Sequence, residues 1–493
     1  MKKWLSIAAG PVLAFGAYLW LSHSGVPQEA RLMGLVVVWV AVWWLTEALH
    51  LGVTSLLPFL LMPALGIMKT EEAAMQYMDQ IIFLFMGGFF LAYAMEKWGL
   101  HKRLAYRIII LMGNKPSKVL MGVMLTAYII SMWVSNTATV MMLIAAVMAI
   151  INQKDIYHED VRKGASSAIL LGLSFAATIG GMGTLVGTPP NMIFFGMYNR
   201  EFPAGQKIDF LHWMLFGVPF SFTFLICAYF ILKRMFIPER INHPFNMQSI
   251  HEQRKSLGQM GMEEIIVLAL FAVTVLLWFF RENLDLGFVT IPGWAPLLFG
   301  KYAAYIKDSS VVIFTALFLF ILPSAKNKDE NILEWKDVSK LPLNIILLFG
   351  AGFAMAKGFE TSGLSAWMAN QLQVLNGAPT VFILLGIILL VTVLSEFASN
   401  TASIQLVLPV LIPLAATLNI NPLLLMLTAT FAASMGYMLP VATAANTIVY
   451  GTGEIDTKEM MKAGIVLDFV GVILLTLFMC TLGNWLFDFL IFG

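Results

Sequence analysis

Charged side chains are scarce in this chain of 493 residues. Lys, Arg, Asp and Glu make up 12% of it and leave a net charge of +1, whereas soluble proteins average roughly a quarter charged residues. No basic run suited to nucleic acid occurs, which argues against a nucleic-acid-binding protein. Hydrophobic residues make up 59% of the chain, and its mean hydropathy is +0.81. These values are typical of a membrane protein with many spans.

Residues that could build an enzyme site are also few. Cys227 and Cys480 each lie inside an apolar run and are expected to be small core residues, not a disulfide or a metal pair. The histidines do not converge, because most lie in separate polar segments: His23, His101, His158, His243 and His251. The phosphate-binding G-x-x-x-x-G-K-[ST] and the complete zinc motif H-E-x-x-H are both missing. We therefore predict neither a membrane-embedded enzyme nor an ATP-driven pump.

Apolar runs long enough to cross a bilayer, about 20 residues each, follow one another along the whole chain. We expect ten to thirteen spans, some of them half-spans or hairpin arms. The first run follows a basic start and imitates a secretory signal, but we interpret it as a retained helix because no cleavage site precedes a soluble domain. The runs lie at about 4–22, 31–49, 51–68, 81–97, 117–134, 164–185, 211–232, 262–280, 309–323, 341–357, 379–397, 422–441 and 463–490.

The most informative feature that is present is a duplicated polar octet in apolar sequence. Residues 131–138 read SMWVSNTA and residues 395–402 read SEFASNTA, 264 positions apart. On the same offset, residues 85–100 and 349–364 share seven of sixteen positions. A third pair, Thr188-Pro-Pro-Asn191 and Thr443-Ala-Ala-Asn446, follows at an offset of 255. Three matched landmarks in the same order indicate a duplicated unit.

The distribution of Lys and Arg predicts that the two copies are inverted. Basic clusters mark cytoplasmic segments, and they contain Lys2 and Lys3; Lys97, Lys102, Arg103 and Arg107; Lys233, Arg234, Arg240, Arg254 and Lys255; Lys326, Lys328, Lys336 and Lys340. The first repeated segment ends at a basic cluster, whereas the second begins just after one. The copies therefore cross the membrane in opposite directions, as in alternating-access transporters. We expect a multi-pass protein of the plasma membrane, or of the inner membrane if the host is bacterial.

Each Ser-Asn-Thr triplet lies between two apolar runs and is predicted at the tip of a helical hairpin. Because Ser, Asn and Thr are favoured N-cap residues, a helix that begins near Thr137 or Thr401 would direct its free N–H groups to one point. Such a point attracts a carboxylate without any Arg. The oxygens of Ser131, Ser135 and Asn136, with freed backbone carbonyls, suit a hard monovalent cation.

The Thr-x-x-Asn landmarks predict one broken helix in each half. Pro189 and Pro190 remove backbone donors and leave carbonyls that a ligand or the neighbouring protein must satisfy. Residues 441–446 occupy the same place in the second half, after Pro440. One hairpin tip and one broken helix per half would enclose a cation, and the two halves together an anion. The alternative is that the triplets only hydrogen-bond between helices, but their repetition beside a second repeated break favours a binding site.

Lone carboxylates in or near apolar runs have less certain roles. Glu396 lies inside a run, where a carboxylate must be paired or line a cavity. Glu96 and Glu360 match each other but lie near span ends, where we expect a capping or interfacial role. Two further carboxylates are interpreted as interfacial or paired with other helices, in preference to a proton relay: Glu47 and Asp468.

With paired Ser-Asn-Thr triplets, each followed by a Thr-x-x-Asn break, the chain resembles the divalent anion:sodium symporter family, the di- and tricarboxylate carriers related to INDY. The resemblance covers essentially the whole chain and implies an all-α polytopic membrane fold with two re-entrant helical hairpins and two broken helices. It also implies a homodimer in which a transport domain moves as an elevator against a scaffold. On this basis we expect N-terminal scaffold helices at 1–80, a first inverted repeat at 81–232, a cytoplasmic linker at 233–261, scaffold-type helices and a linker at 262–340, and a second inverted repeat with a C-terminal helix at 341–493.

The resemblance also implies roles for individual residues. One sodium ion would bind Ser131, Ser135, Asn136 and Gly187, and a second would bind Ser395, Ala398, Asn400 and Ala442. Substrate carboxylates would contact Asn136, Thr137, Thr188, Ser399, Asn400, Thr401 and Thr443. The second break departs from the family pattern, because it has Ala444-Ala445 where proline is often found. Unwinding is expected to be less enforced there.

The sequence thus predicts a secondary transporter that imports a four-carbon dicarboxylate such as succinate, malate or fumarate with sodium, since bound sodium would neutralise the anion. Other functions remain open at this point: a sodium-independent dicarboxylate exchanger of the same fold, a carrier of citrate or sulfate, and a passive channel. The inverted broken-helix pattern favours a carrier over a channel.

Overall fold

The structure is a computed structural model, and it describes residues 2–151, 159–237, 244–285, 290–327, 329–341, 344–489 and 491. Four residues named above lie outside these ranges: His158, Arg240, His243 and Lys328. The described chain is almost wholly helical, apart from a short antiparallel ribbon in which β1 (Leu284–Asp285) pairs with β2 (Thr290–Ile291). The predicted all-α class is confirmed.

Helices follow one another with short connections. Up to the central linker they are α1 Lys2–His23, α2 Gln28–Leu45, α3 Leu51–Thr54, α4 Leu57–Ala64, α5 Thr70–Gln76, α6 Gln80–Lys97, α7 Leu100–Met112, α8 Pro116–Ser131, α9 Asn136–Ile151, α10 Glu159–Gly181, α11 Pro189–Glu201 and α12 Phe210–Phe236. From the linker onward they are α13 Gln248–Ser256, α14 Met262–Phe279, α15 Trp294–Phe299, α16 Asp308–Ile321, α17 Asn344–Thr361, α18 Leu364–Leu372, α19 Thr380–Phe397, α20 Asn400–Leu418, α21 Pro422–Ala433, α22 Ala444–Tyr450, α23 Thr457–Phe478 and α24 Asn484–Phe487. Short 3₁₀ turns lie at Gly300–Tyr305, Trp335–Lys340 and Gln373–Leu375, and a π turn at Met479–Gly483 joins α23 to α24.

Within the described residues, nine helices are long and apolar enough to cross a membrane, or up to eleven if each of two bent pairs forms one span. The expected range of ten to thirteen overlaps this one at its lower end. Several predicted runs are not single spans, including those at 51–68 and 422–441. The run at 51–68 is divided into α3 and α4, where Pro58 and Pro63 restrict the backbone. The run at 422–441 is helical only as far as Ala433.

Helix α6 of the first repeat and helix α17 of the second repeat contact each other. Phe85 and Phe349, which are equivalent positions, contact each other with ring centroids 4.9 Å apart. Only residues close to a pseudo-two-fold axis can contact their own counterparts, so the axis passes between these helices. Lys97 at the end of α6 forms an ion pair of 2.8 Å with Asp337, just before α17, so the helices run antiparallel. Burial opposes the charge on Asp337, but the hydrogen bonds from Lys97 and the Glu334 N–H hold the pKa of Asp337 below its ordinary value.

Helix α10 is the most deeply buried helix of the first repeat. It packs against α8, α9, α12 and α22. Small residues make this possible, since a side chain at Gly172 or Gly180 would overlap Leu120 or the Tyr128 backbone of α8. The arms of the first hairpin, α8 and α9, have 16 residues each. At 1.5 Å per residue each arm is about 24 Å long, shorter than a hydrocarbon core of about 30 Å, as a re-entrant hairpin requires.

Gly464 of α23 provides a test of this close packing. A Cβ there would overlap the backbone of Tyr437 and Met438, which cannot move aside as a flexible side chain could. We expect Gly464→Ala to destabilise the protein by about 1–3 kcal/mol, measured as a lower melting temperature of the purified protein in detergent. Gly386→Ala is the matched control. Gly386 is an exposed glycine of α19, and a Cβ added there would have no atom outside its own stretch of helix within 4 Å. An unchanged melting temperature for Gly464→Ala would contradict the packing described.

Candidate functional site

The first Ser-Asn-Thr triplet forms the tip of the hairpin between α8 and α9. Helix α9 begins at Asn136, one residue before the expected start, and Ser135 caps it by accepting a hydrogen bond of 3.3 Å from the Ala138 N–H. Ser131 Oγ, at the end of α8, donates to Asn136 Oδ1 at 2.7 Å. The Ser131 hydroxyl is fully buried, so this bond ties the two arms of the hairpin together below the tip.

The second triplet repeats this geometry at the tip between α19 and α20. Ser399 Oγ accepts from the Ala402 N–H at 3.2 Å, and α20 begins at Asn400. Ser395 Oγ lies 2.8 Å from Asn400 Oδ1 and 2.6 Å from the Ala433 carbonyl oxygen. One hydroxyl proton cannot be donated to both acceptors at once. Three oxygens therefore converge with a single proton among them, which is an arrangement that a cation would stabilise.

The first helix break extends from Gly181, where α10 ends, to Pro189, where α11 begins. Asn191 closes it, because its Nδ2 donates to the carbonyls of Gly181 at 2.9 Å and Thr184 at 2.7 Å. The two prolines of this landmark, Pro189 and Pro190, follow the unwound segment. They occupy the first turn of α11, where a missing N–H removes no helical hydrogen bond.

The second break extends from Ala433, where α21 ends, to Ala444, where α22 begins. Asn446 Nδ2 donates to the carbonyls of Gly436 and Leu439, each at 3.1 Å. These three positions are each 255 residues beyond their counterparts in the first break. The Asn446 side chain also accepts a 2.6 Å hydrogen bond from Ser174 Oγ of α10, which joins the two repeats. The asparagine of each landmark is thus a clamp on unwound backbone.

Glu396 supports the unwound backbone of the second break, after which α22 begins with alanines where α11 begins with prolines. Its carboxylate accepts from the Met438 N–H at 2.9 Å and from the Leu439 N–H at 3.0 Å. In the first half the equivalent residue is Met132, and there its backbone carbonyl accepts a hydrogen bond from Thr184 Oγ1. The second half therefore keeps its helix break although Ala444 and Ala445 stand where the first half has prolines.

Each hairpin tip lies against the break of its own half. A Cβ on Gly181 would contact Asn136 Oδ1, the Gly187 carbonyl oxygen and Thr188, so these groups surround one point in the first half. A Cβ on Gly436 would contact Ser395 and Ala442 in the second half. The candidate cation ligands of each half are therefore brought together in space. Ala398 lies in the extended turn just before the second tip, with φ −131° and ψ 161°.

A single cavity of about 810 Å³ lies between the halves. All seven candidate substrate residues line it: Asn136, Thr137, Thr188, Ser399, Asn400, Thr401 and Thr443. The helices α9, α11 and α20 and the short α22 all begin at its wall. Neutral hydroxyls, amides and helix N-termini thus form one side of the cavity, and its volume is within the range of roughly 300–1,000 Å³ usual for small-ligand sites.

Other lining residues of the cavity were not predicted from the sequence as part of the site. They include Tyr93 and Glu96 of α6, Lys340 before α17 and Glu47 after α2. Thr447, one turn after Thr443, also lines the cavity and donates a 2.7 Å hydrogen bond to the Pro440 carbonyl. For Thr447 the spacing from Thr443 could have been a signal, whereas Lys340 gives none, because it belongs to an ordinary basic cluster.

Comparisons with known proteins agree on one family. The sequence profile described as the sodium:sulfate symporter transmembrane region matches residues 2–489. The chain is 36% identical over 481 residues to the protein named sodium-dependent dicarboxylate transporter SdcS of Staphylococcus saprophyticus, covering 96% of this chain and 90% of the relative. A relative of the same name in Staphylococcus aureus strain NCTC 8325 has the same identity and coverage.

Two solved structures have a similar fold at low sequence identity. MtrF of Neisseria gonorrhoeae, described as one of a class of antimetabolite efflux pumps, aligns with a TM-score of 0.58 and 13% identity over 83% of each chain. The YdaH transporter of Alcanivorax borkumensis aligns with a TM-score of 0.52 and 12% identity, covering 82% of this chain and 85% of that one. At these identities the likeness supports the fold alone.

The role of Asn191 and Asn446 as clamps can be tested by measuring the thermal stability of variants. Asn446→Ala would leave the buried Gly436 carbonyl without its donor, at about 1–3 kcal/mol for an unsatisfied group, and would leave the Leu439 carbonyl with only the Ala442 N–H. We expect a clear loss of thermal stability in detergent, and a loss also for Asn191→Ala in the first half. Asn376→Ala, at an exposed position outside the site, is the control and is expected to retain the wild-type melting temperature. Wild-type stability of both clamp variants would contradict the assigned role.

Proposed function

Because this chain belongs to the sodium:sulfate symporter family, we propose that it is a multi-pass secondary transporter of the plasma membrane that moves a small dicarboxylate together with sodium. The single observation that carries the proposal is the cavity in which both Ser-Asn-Thr tips and both Thr-x-x-Asn breaks meet. The relatives named as sodium-dependent dicarboxylate transporters indicate the cargo. Succinate, malate and fumarate are the substrates that we expect.

The anion would be held without any basic side chain from the hairpins or breaks. Helices α9, α11 and α20 begin at the cavity wall, and the N-terminus of a helix carries free N–H groups and partial positive charge. Hydroxyls of Thr137, Thr188, Thr401 and Thr443 add further donors beside them. Two such clusters on opposite repeats match a substrate with a carboxylate at each end.

Sodium would bind behind this surface, at one point in each half. In the proposed first site the oxygens of Ser131, Ser135 and Asn136 and the Gly187 carbonyl face a hard cation. In the second site the cation would bind Ser395, Asn400 and the backbone at 398 and 442. The Ser395 hydroxyl has two neighbouring acceptor oxygens and only one proton to donate. All of these ligands are neutral, which suits a monovalent ion. Bound sodium would neutralise the substrate and make its binding depend on the cation.

The cavity is lined in part by Glu96 and Lys340, which belong to the predicted cytoplasmic ends of α6 and the linker before α17. We therefore propose that this conformation releases substrate to the cytoplasm. Following the resemblance, we further propose a homodimer in which residues 1–80 and 262–340 contribute the scaffold, while the two repeats carry the site across the membrane as an elevator.

Sodium coupling and the site can be tested in proteoliposomes with radiolabelled succinate. Uptake should be driven by an inward sodium gradient and lost when choline replaces sodium, whereas undiminished uptake in choline would favour a sodium-independent exchanger. Asn136→Ala and Asn400→Ala should each reduce sodium-driven uptake at least about tenfold, since each removes an oxygen shared by a cation site and the substrate surface. Asn376→Ala is the matched control. Wild-type uptake by both site variants would refute the assignment.

The hydroxyls at the helix starts should affect the KM for the substrate more than the sodium dependence of uptake. Thr137 and Thr401 line the cavity but are not among the proposed sodium ligands. We expect Thr137→Ala and Thr401→Ala to raise the KM for succinate about 10- to 100-fold, as the loss of one hydrogen bond to a charged group of about 1.5–3 kcal/mol would do. The sodium concentration for half-maximal uptake should change less. A larger change in sodium dependence than in KM would contradict this division of roles.

A further inference from the structure

Two buried carboxyl groups lie together behind the second hairpin tip. Glu396 of α19 is 2% exposed and Asp468 of α23 is 6% exposed. Helix α19 packs against α23, which brings the two carboxyl groups close enough to interact, and Tyr437 of the second break lies beside both. Neither member of this pair belongs to the proposed substrate or sodium sites.

Among the described residues, no basic side chain forms an ion pair with either carboxylate. Helices α19, α20 and α21 contain no Lys, Arg or His. Lys462 of α23 is exposed and lies almost two turns from Asp468, and the basic residues and histidine of α12 are confined to its two ends. Among the described residues, the buried phenol of Tyr437 interacts with both carboxyl groups. Two carboxylates at membrane depth therefore face each other without a protein counterion, which is costly unless a cation joins them.

The two carboxylates differ in how they are satisfied. Both oxygens of Glu396 accept a backbone N–H, from Met438 and Leu439. These bonds stabilise one negative charge. Both oxygens of Asp468 are buried and lack any hydrogen-bond partner among the described residues. A proton shared with Glu396 would satisfy only one of them, whereas a metal cation can contact both together with the free lone pairs of Glu396.

We propose that Glu396 and Asp468 bind one further monovalent metal cation, namely sodium, in addition to the two ions of the Ser-Asn-Thr sites. The inference rests on the proposed sodium-coupled function. The additional site belongs to one half only, because the residue equivalent to Glu396 in the first half is Met132. It is coupled to transport by position: Glu396 follows Ser395 of the second sodium site and holds the break through Met438 and Leu439. A cation that leaves the pair would change the hold of Glu396 on that break.

The test is the number of sodium ions that enter with each succinate, measured by dual-label uptake into proteoliposomes. Wild-type protein should take up about three sodium ions per succinate. Asp468→Asn should lower this ratio by about one third, because Glu396 alone is already stabilised by backbone N–H groups. Asp468→Glu should restore it. Glu360→Gln is the matched control, since Glu360 is an exposed acid paired only with Lys357, and it should retain the wild-type ratio.

The possible outcomes separate this inference from the proposed function. If the wild-type protein shows no sodium-dependent succinate uptake, the proposed function itself fails. If the wild type is sodium-coupled but takes up only two sodium ions per succinate, or if Asp468→Asn keeps the wild-type ratio, the additional sodium site is overturned. An unchanged sodium ratio together with loss of a succinate-linked proton movement would assign the pair to a proton and also overturn it. Glu396→Gln provides a second variant should Asp468→Asn not fold, and the wild-type ratio needs no variant.

Discussion

The functional site depends on unwound backbone being held open inside a membrane protein. In a hydrocarbon environment every backbone donor and acceptor must find a partner, and the breaks after α10 and α21 leave several carbonyls without helical ones. One asparagine amide in each half, Asn191 or Asn446, bonds two of these carbonyls at corresponding positions. This clamp gives the next helix a new start, and those starts form the wall of the cavity. Without the clamps, continuous helices would leave nothing to bind an ion or an anion.

The two halves stabilise their unwound backbone segments with different side chains. In the first, a threonine hydroxyl bonds the carbonyl of the hairpin tip, and prolines begin the following helix. In the second, the carboxylate of Glu396 takes backbone N–H groups of the break and alanines begin the helix. A methionine and a glutamate at equivalent positions thus preserve one backbone shape. The difference introduces a buried carboxyl group in one half only, which would give the two proposed cation sites unequal surroundings.

The proposed binding surface of hydroxyls, amides and helix ends would have a simple physical advantage for transport. A permanent basic cluster would hold a dianion tightly whether or not sodium was present, and it would have to cross the membrane charged when empty. Helix ends and hydroxyls bind weakly by themselves, so affinity for the substrate can depend on cations bound at the same time. The antiparallel meeting of α6 and α17 at Phe85 and Phe349 relates two such half-sites by one axis, and a carboxylate at each end of the substrate matches that symmetry.

The amino-acid sequence by itself determined the class of protein, the duplication, its inversion and the helix starts at both triplets, because these follow from composition, spacing and local capping preferences. The division of the run at 51–68 and the position of Pro189 and Pro190 at the start of α11 were not predicted, since local patterns do not tell which part of an apolar run remains helical. Tertiary structure alone decided that Asn191 and Asn446 act as clamps, that Glu396 supports a backbone segment about forty residues away, and that Tyr93 and Lys340 face the cavity. Such contacts join segments distant along the chain, and packing of whole helices, not residue order, brings them together.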